Sequence, residues 1–344
     1  MTVSIKGIDL DNVTSWFEAN VAGAQGPFGF ELIAGGHSNL TYRVTDATGS
    51  PFVLRRPPLG QVLATAHDME REHKIISALG PTKVPVAPAL GLCTDPEVNG
   101  APFYVMAYVD GRVLRDAAAA TQISPASRQR ASESIADTLA EIHAVDPDAV
   151  GLGDLGKKED YIARQLKRWY GQWEKSKTRE LPLVDRLHDE LLATTPPQGR
   201  ATIVHGDYRL DNCMTNDDGH VIAVLDWEIC TLGDPMADLG LLMVYWTEAA
   251  DAAPMLLTAP TAQAGFLSRQ EVLDRYAAAS GRDVSLIDYY TAFGYWKLAC
   301  IVEGVYARYL GGSMGSADPS AFEGFKVQVD RCAEAGAEAM ARLG

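Results

Sequence analysis

The chain has 344 residues, 47% hydrophobic and 22% charged, a globular composition that excludes a disordered polymer. Its 45 acidic against 30 basic side chains leave a formal charge of −15, which on average repels the phosphate backbone of nucleic acid. The five cysteines, Cys93, Cys213, Cys230, Cys300 and Cys332, show no C-x-x-C pair or Cys/His metal spacing, which argues against a disulfide framework or structural zinc. The start of the chain meets Asp9 and Asp11 before any apolar run, so no signal peptide is expected. The longest apolar stretch, around Leu239–Trp246, is far short of the roughly 20 residues that span a bilayer. These features predict a soluble cytoplasmic protein without nucleic-acid or membrane partners.

In chain order, residues 11–24 read as a short helix with Trp16 and Phe17 on its apolar side. From Phe28 to about Val109 the texture is short β-type runs separated by turn residues: 28–33, 40–44 and 52–55, then an extended Pro-rich run 84–92 and an apolar run 103–109. One helix interrupts them over 65–79, with Met69, Ile76 and Leu79 as its apolar positions. Beyond Gly111 the pattern is helical. Ser124-Pro125 is an N-cap followed by Pro at the first helical position, and further helices are expected over 161–173, 184–194 and from about 236 onward. Two short β-type runs, 202–204 and 221–225, flank a polar loop and predict one short hairpin. The expected organisation is a β-rich lobe over 1–110 and a larger helical lobe over 111–344, which carries 34 acidic and 23 basic residues.

The chemistry concentrates in His205-Gly206-Asp207-Tyr208-Arg209-Leu210-Asp211-Asn212 and the run Val221–Leu225 that leads into Asp226-Trp227. A strand delivers the chain to a Gly turn that exposes Asp207, and five residues later Asn212 offers an amide oxygen. A turn through Asn216–Gly219 then returns a strand ending in Asp226. Hard oxygen donors of this kind suit Mg²⁺, which takes one or two protein oxygens and fills its shell with water and phosphate oxygens. A separate carboxylate can accept a proton from a substrate hydroxyl, which is the division of labour of phosphoryl transfer. No G-x-x-x-x-G-K-[ST] or G-x-G-x-x-G is present.

H-G-D-x-x-x-x-N followed by a strand ending in L-D-W resembles the aminoglycoside phosphotransferase and choline kinase-like superfamily, which shares the protein kinase-like fold. Gly35–Tyr42 is similar to its nucleotide-positioning loop, Glu72 to its ion-pair glutamate, and Phe103–Val109 to the hinge strand at adenine. The resemblance implies an α+β, two-lobed fold: a small antiparallel sheet lobe with one helix, and a mainly helical C-lobe. It implies ATP (GTP left open) in the cleft between the lobes, with Mg²⁺ on its phosphates. Asp207 becomes the catalytic base or hydroxyl-orienting carboxylate, and Asn212 and Asp226 the metal holders. Ser38, Asn39, Arg55, Glu72, Met106, Ala107 and Tyr108 become nucleotide-side residues. The family's strand lysine falls at Arg55, a departure that keeps the charge but changes the geometry of pairing with Glu72.

The likeness is greatest to the branch also fused to some acyl-CoA dehydrogenases, through Leu54–Pro58, His205–Asn212 and Leu298–Leu310. It implies a small hydroxylated metabolite, such as a hydroxyacyl compound, as acceptor, and a monomer or homodimer. Two alternatives stand beside it: an aminoglycoside O-phosphotransferase, for which an acidic surface suits a polycation, and a non-catalytic nucleotide-binding regulatory protein.

Several residues keep two readings. Arg209 is either a phosphate contact or a partner of an acidic neighbour. Asp234 is a helix cap or a site residue, and Asp238 a cap or loop anchor. His205 reads as a hydrogen-bonder that fixes the loop, and His143 as a helix-dipole partner or an exposed side chain. Trp296, Glu303, Tyr306 and Arg308 are candidates for the substrate pocket wall, against the core reading that helical spacing favours.

Overall fold

A computed structural model of the chain describes residues 5–33, 39–59, 67–251, 258–311 and 322–343. It divides into two units, residues 1–111 with 222–228, and residues 112–221 with 229–344. The short return at 222–228 joins the first unit, which a single boundary near Asp110 does not provide for.

In the first unit, α1 (Leu10–Asn20) is capped by Asp9, whose carboxylate accepts the Asn12 N–H. Then come β1 (Gly29–Leu32), β2 (Leu40–Thr45), β3 (Pro51–Arg56), α2 (Met69–Leu79), β4 (Ala89–Cys93), α3 (Pro96–Asn99) and β5 (Phe103–Ala107). Helix α2 begins at Met69 because Asp68 caps it, accepting the Arg71 N–H at 3.0 Å. The five strands form an antiparallel sheet of order β1-β2-β3-β5-β4.

Register sorts the two sheet faces. Tyr42, Leu54 and Val105 lie opposite one another and share a face. That face packs with Val13 and Phe17 of α1, Phe28 and Phe103 into a buried core. Arg55 lies opposite Tyr104 and, one residue out of phase, projects from the other face. Both side chains meet α2 there. Alternation thus puts Arg55 on the face opposite the core, while the buried Arg56, in phase with Leu54, donates to the Gly7 and Asn99 carbonyls.

The second unit contains β6 (Arg112–Val113), α4 (Ala117–Thr121), α5 (Pro125–Ala144), α6 (Tyr161–Ser176), α7 (Pro182–Ala193), β7 (Thr202–Val204) and β8 (Cys213–Thr215). Strand β9 (Val221–Val224) carries the chain out of this unit after Val221. Then follow β10 (Thr231–Gly233), α8 (Met236–Tyr245), α9 (Arg269–Ser280), α10 (Ile287–Leu310) and α11 (Glu323–Ala341). Ser124 caps α5 as the sequence predicts, accepting the Ser127 N–H at 3.0 Å. The turn expected at Asn216–Gly219 forms, with the Asn216 N–H donating to the His220 carbonyl at 3.0 Å between β8 and β9. But 202–204 is not the partner of 221–225: β7 pairs antiparallel with β10, and β8 also pairs with β6. Both partners are too short to stand out in the sequence.

Helix α8 takes up most of the apolar stretch Leu239–Trp246 and is buried from Met236 to Val244. Among the described residues no helix is long and apolar enough to cross a membrane. Helices α8 and α10 approach through Gly240, where a Cβ would stand 2.4 Å from the Tyr290 carbonyl carbon and 2.5 Å from its oxygen. Gly240→Ala is therefore expected to lower stability by about 1–3 kcal/mol. The check is the denaturant midpoint, and an unchanged midpoint would contradict the close contact.

Candidate active site

Strand β7 ends at Val204, and the chain turns through His205 and Gly206. Gly206 has φ +85°, and a Cβ there would meet Ile229 side-chain carbons at 3.1 Å, so the turn requires glycine. The His205 and Gly206 N–H groups donate to the Asp238 carboxylate at 2.6 and 2.8 Å. Asp238 is buried within the first turn of α8, whose N-cap is Pro235, so it is the loop anchor and not the cap. Burial works against its charge, but hydrogen bonds and neighbouring histidines hold its carboxyl below the usual range.

His143 is buried against the same carboxylate, its Nε2 3.4 Å from Asp238 and its Nδ1 2.7 Å from the Tyr276 hydroxyl. This replaces the expectation of an exposed or dipole-complementing side chain. A carboxylate only accepts, so Nε2 is assigned the proton and Nδ1 accepts from Tyr276.

Asp207 follows, about a third exposed. Its N–H donates to His205 Nδ1 at 3.3 Å, in line with the reading of His205 as a loop-fixing hydrogen-bonder. The Asn212 amide nitrogen donates to the Asp207 backbone carbonyl at 2.8 Å and to its carboxylate at 2.9 Å. Those donors orient the Asn212 amide oxygen away from Asp207. Arg209 lies 3.5 Å from Asp207 and 3.3 Å from Asp211, with its guanidinium 4.7 Å from the Tyr245 ring centroid. The acidic-neighbour reading of Arg209 describes this arrangement.

In the first unit the charged cluster forms around Arg55. Its Nε lies 2.9 Å from Glu72 and its Nη2 donates to Asp226 at 2.5 Å. Glu72 also accepts from the Tyr104 hydroxyl at 3.0 Å and from the Asn39 amide at 3.0 Å. The same Asn39 nitrogen reaches Glu228 at 3.3 Å. Burial raises the Glu72 pKa and Arg55 pulls it back down; for Arg55, burial is outweighed by Glu72, Tyr104 and Asp226, which raise its pKa. Asp226 takes φ +61° directly after the strand run, a conformation uncommon in a non-glycine residue and concentrated at functional sites.

Ser38, with Gly35, Gly36 and His37, lies outside the described residues. Met106 and Ala107 end β5, and the Ala107 N–H is engaged by the Pro88 carbonyl at 2.9 Å. Tyr108 carries the Arg43 guanidinium 4.9 Å above its ring. Asp234 accepts the Met236 N–H at 3.0 Å and the Tyr290 hydroxyl at 2.7 Å, bracing the entry to α8. Trp296 is buried and donates to the Val184 carbonyl at 3.0 Å. Glu303 is buried and accepts from the Thr178 backbone and hydroxyl at 2.6 and 2.7 Å. Tyr306 is buried beneath Lys326, and Arg308 is exposed.

Sequence reasoning missed Tyr104, Glu228 and Lys297. Tyr104 becomes legible only through its register with Arg55. Lys297, whose ammonium reaches the Gly206 carbonyl at 3.0 Å, did have a signal: it is the one charged residue between Asp288 and Glu303.

The His143 pair makes stability depend on pH. Burial lowers the His143 pKa, so below about 6.5 the unfolded ring takes up a proton that the folded ring resists, and stability falls as pH drops. Burial lowers His67 and His73 in the same direction. His143→Gln should flatten part of the loss between pH 7 and 5, leaving the share of the other two. Unfolding free energies across that range test this, and an unchanged slope would contradict a neutral buried ring.

The chain matches the model of the phosphotransferase enzyme family over residues 29–280. It is 36% identical to acyl-CoA dehydrogenase family member 10 of Mus musculus over 286 residues, 82% of this chain and 27% of that protein. It spans 27 to 40% of the length of the acyl-CoA dehydrogenase family relatives it matches. A Ralstonia eutropha protein provisionally designated an aminoglycoside phosphotransferase has a crystal structure similar at TM-score 0.82 and 33% identity, over 97% of this chain and 98% of that one. Choline kinase from Cryptosporidium parvum shares the fold at TM-score 0.66 and 11% identity, over 97% of each chain. The chain thus belongs to the phosphotransferase enzyme family and has its protein kinase-like α+β fold.

Proposed function

We propose that the protein is an ATP- and Mg²⁺-dependent kinase that transfers the γ-phosphoryl group to a hydroxyl of a small metabolite. The observation that carries this reading is the Asp207 loop: a part-exposed carboxylate at the tip of a turn whose backbone is pinned by a buried one. Asp207 accepts a hydrogen bond from the acceptor hydroxyl, aims its oxygen at the phosphorus, and takes the proton as the bond forms. Arg55, braced by Glu72, neutralises charge on the nucleotide phosphates.

The donor chemistry fits Mg²⁺. Around Arg55 stand Glu72, Asp226 and Glu228, an excess of negative charge over one cation, and Asp226 keeps one carboxylate oxygen free of Arg55. Asn212 and Asp226 are the residues assigned to hold the ion. When bound it would neutralise phosphate charge. The cationic face of α6 favours an anionic acceptor. Arg164, Lys167, Arg168 and Lys175, with Gln172 and Ser176, line one open cavity of about 780 Å³ on an otherwise acidic chain. Such a face attracts a phosphate-bearing hydroxyacyl thioester and repels a polycationic aminoglycoside. The likeness to acyl-CoA dehydrogenase family members supports the same choice.

Two measurements test this. Asp207→Asn should reduce acceptor-dependent ADP release at least about 10³-fold with ATP affinity and Tm nearly unchanged. Near-full turnover in that variant would remove Asp207 from the reaction, and a wild type without acceptor-dependent ADP release would leave only a nucleotide-binding protein. Lys167→Glu with Lys175→Glu should raise the KM for a hydroxyacyl-CoA thioester about tenfold and leave the KM for ATP alone. Improved turnover of an aminoglycoside without loss of the thioester would contradict the assigned face.

A further inference from the structure

Lys297 sits in the middle of α10 with only 8% of its surface exposed. Among the described residues its ammonium makes no ion pair within 4 Å; it meets the Gly206 carbonyl at 3.0 Å and the Trp169 ring at 5.7 Å from the centroid. A buried ammonium served by one neutral acceptor costs stability, because desolvation is repaid only by close counter-charges and full hydrogen bonding. Burial accordingly lowers its pKa, Asp207 and Asp238 pull it back up, and Arg168 acts with burial. A methionine would fill the same space without that desolvation cost, but would leave the Gly206 carbonyl without this donor.

The position of its one hydrogen bond explains why a lysine is useful there. Gly206 gives its N–H to Asp238 on α8 at 2.8 Å and its C=O to Lys297 on α10 at 3.0 Å. Charged side chains from two helices thus hold both polar groups of the residue before Asp207. Charge-assisted bonds of this kind are stronger than neutral ones. Gly206 has the freest backbone in the turn, at φ +85°, and a rotation there swings Asp207 directly.

We propose that Lys297 is a positioning residue for phosphoryl transfer: it locks the Gly206 carbonyl, and with it the direction in which Asp207 projects. The proposal rests on the reading of Asp207 as the hydroxyl-orienting carboxylate. The effect follows from geometry, since a misplacement near 1 Å costs about 10²-fold in rate.

The test compares wild type with Lys297→Met and with Lys297→Gln, which keeps a donor. Three quantities are read: Tm, amide hydrogen exchange, and steady-state kinetics. For Lys297→Met the expected result is a Tm close to wild type, because the relieved desolvation of the ammonium offsets the unpaired Gly206 carbonyl, with faster exchange confined to residues 205–212 and kcat lower by about 10²-fold. The KM for ATP should stay within about twofold, and Lys297→Gln should fall between. A merely structural lysine gives a different pattern: Tm and kcat fall together and exchange rises throughout the unit, which would overturn the proposal. So would unchanged loop exchange, or a kcat within about threefold of wild type at equal Tm. If wild type shows no acceptor-dependent turnover, the kinase reading fails and the role in transfer falls with it, while the exchange contrast still decides the loop clamp.

Discussion

The loop that carries Asp207 keeps its shape because one buried carboxylate accepts two consecutive backbone N–H groups. Left without Asp238, the His205 and Gly206 donors would be buried and unpaired, at about 1–3 kcal/mol each. The charge of Asp238 is tolerable in turn because His143 donates to it and His205 lies alongside. Much of the second unit serves this arrangement: α8 brings Asp238, α5 carries His143 in its last turn, α9 supplies Tyr276, and α10 reaches the loop through Lys297. The part-exposed Asp207 is the end of a chain of constraints that begins in the core.

The first unit solves a different problem with its own buried charge. A lysine ammonium is a compact point charge, whereas the Arg55 guanidinium presents donors in a planar fork. Here the fork meets Glu72 through Nε and Asp226 through Nη2. Glu72 is then filled by Tyr104 and Asn39, so α2, β3 and β5 share one hydrogen-bonded cluster. Asn39, expected beside the triphosphate, holds Glu72 and Glu228 through its nitrogen. The brace uses only the donor end of the amide; among the described residues its buried Oδ1 has no hydrogen-bond partner.

Much of this was legible in the sequence. Strand alternation, the apolar side of 11–24 and the cap at Ser124 located the sheet of the first unit, α1 and α5, because period and capping are local properties, whereas the Asp9 cap of α1 emerged only in the structure. The spacing from Asp207 through Asn212 to Asp226 marked the candidate site for the same reason. What escaped depends on contacts between distant segments. The β7–β10 pairing joins two three-residue strands with no periodicity to read. His143 looked peripheral because it ends a helix, but the partners that bury it, Asp238 and Tyr276, are 95 and 133 residues away. Trp296, Glu303 and Tyr306 carried the spacing of a helix face, and the structure gives each of them packing or backbone partners.

The central claim is that a pinned Asp207 directs a metabolite hydroxyl to the γ-phosphorus of ATP. Its most direct measurement is phosphorus NMR of ATP, Mg²⁺ and a hydroxyacyl-CoA thioester incubated with the enzyme. The account predicts a new phosphomonoester signal on the acyl chain, growing in step with ADP. Inorganic phosphate as the only new signal, or ATP left intact with every hydroxylated acceptor, would contradict it.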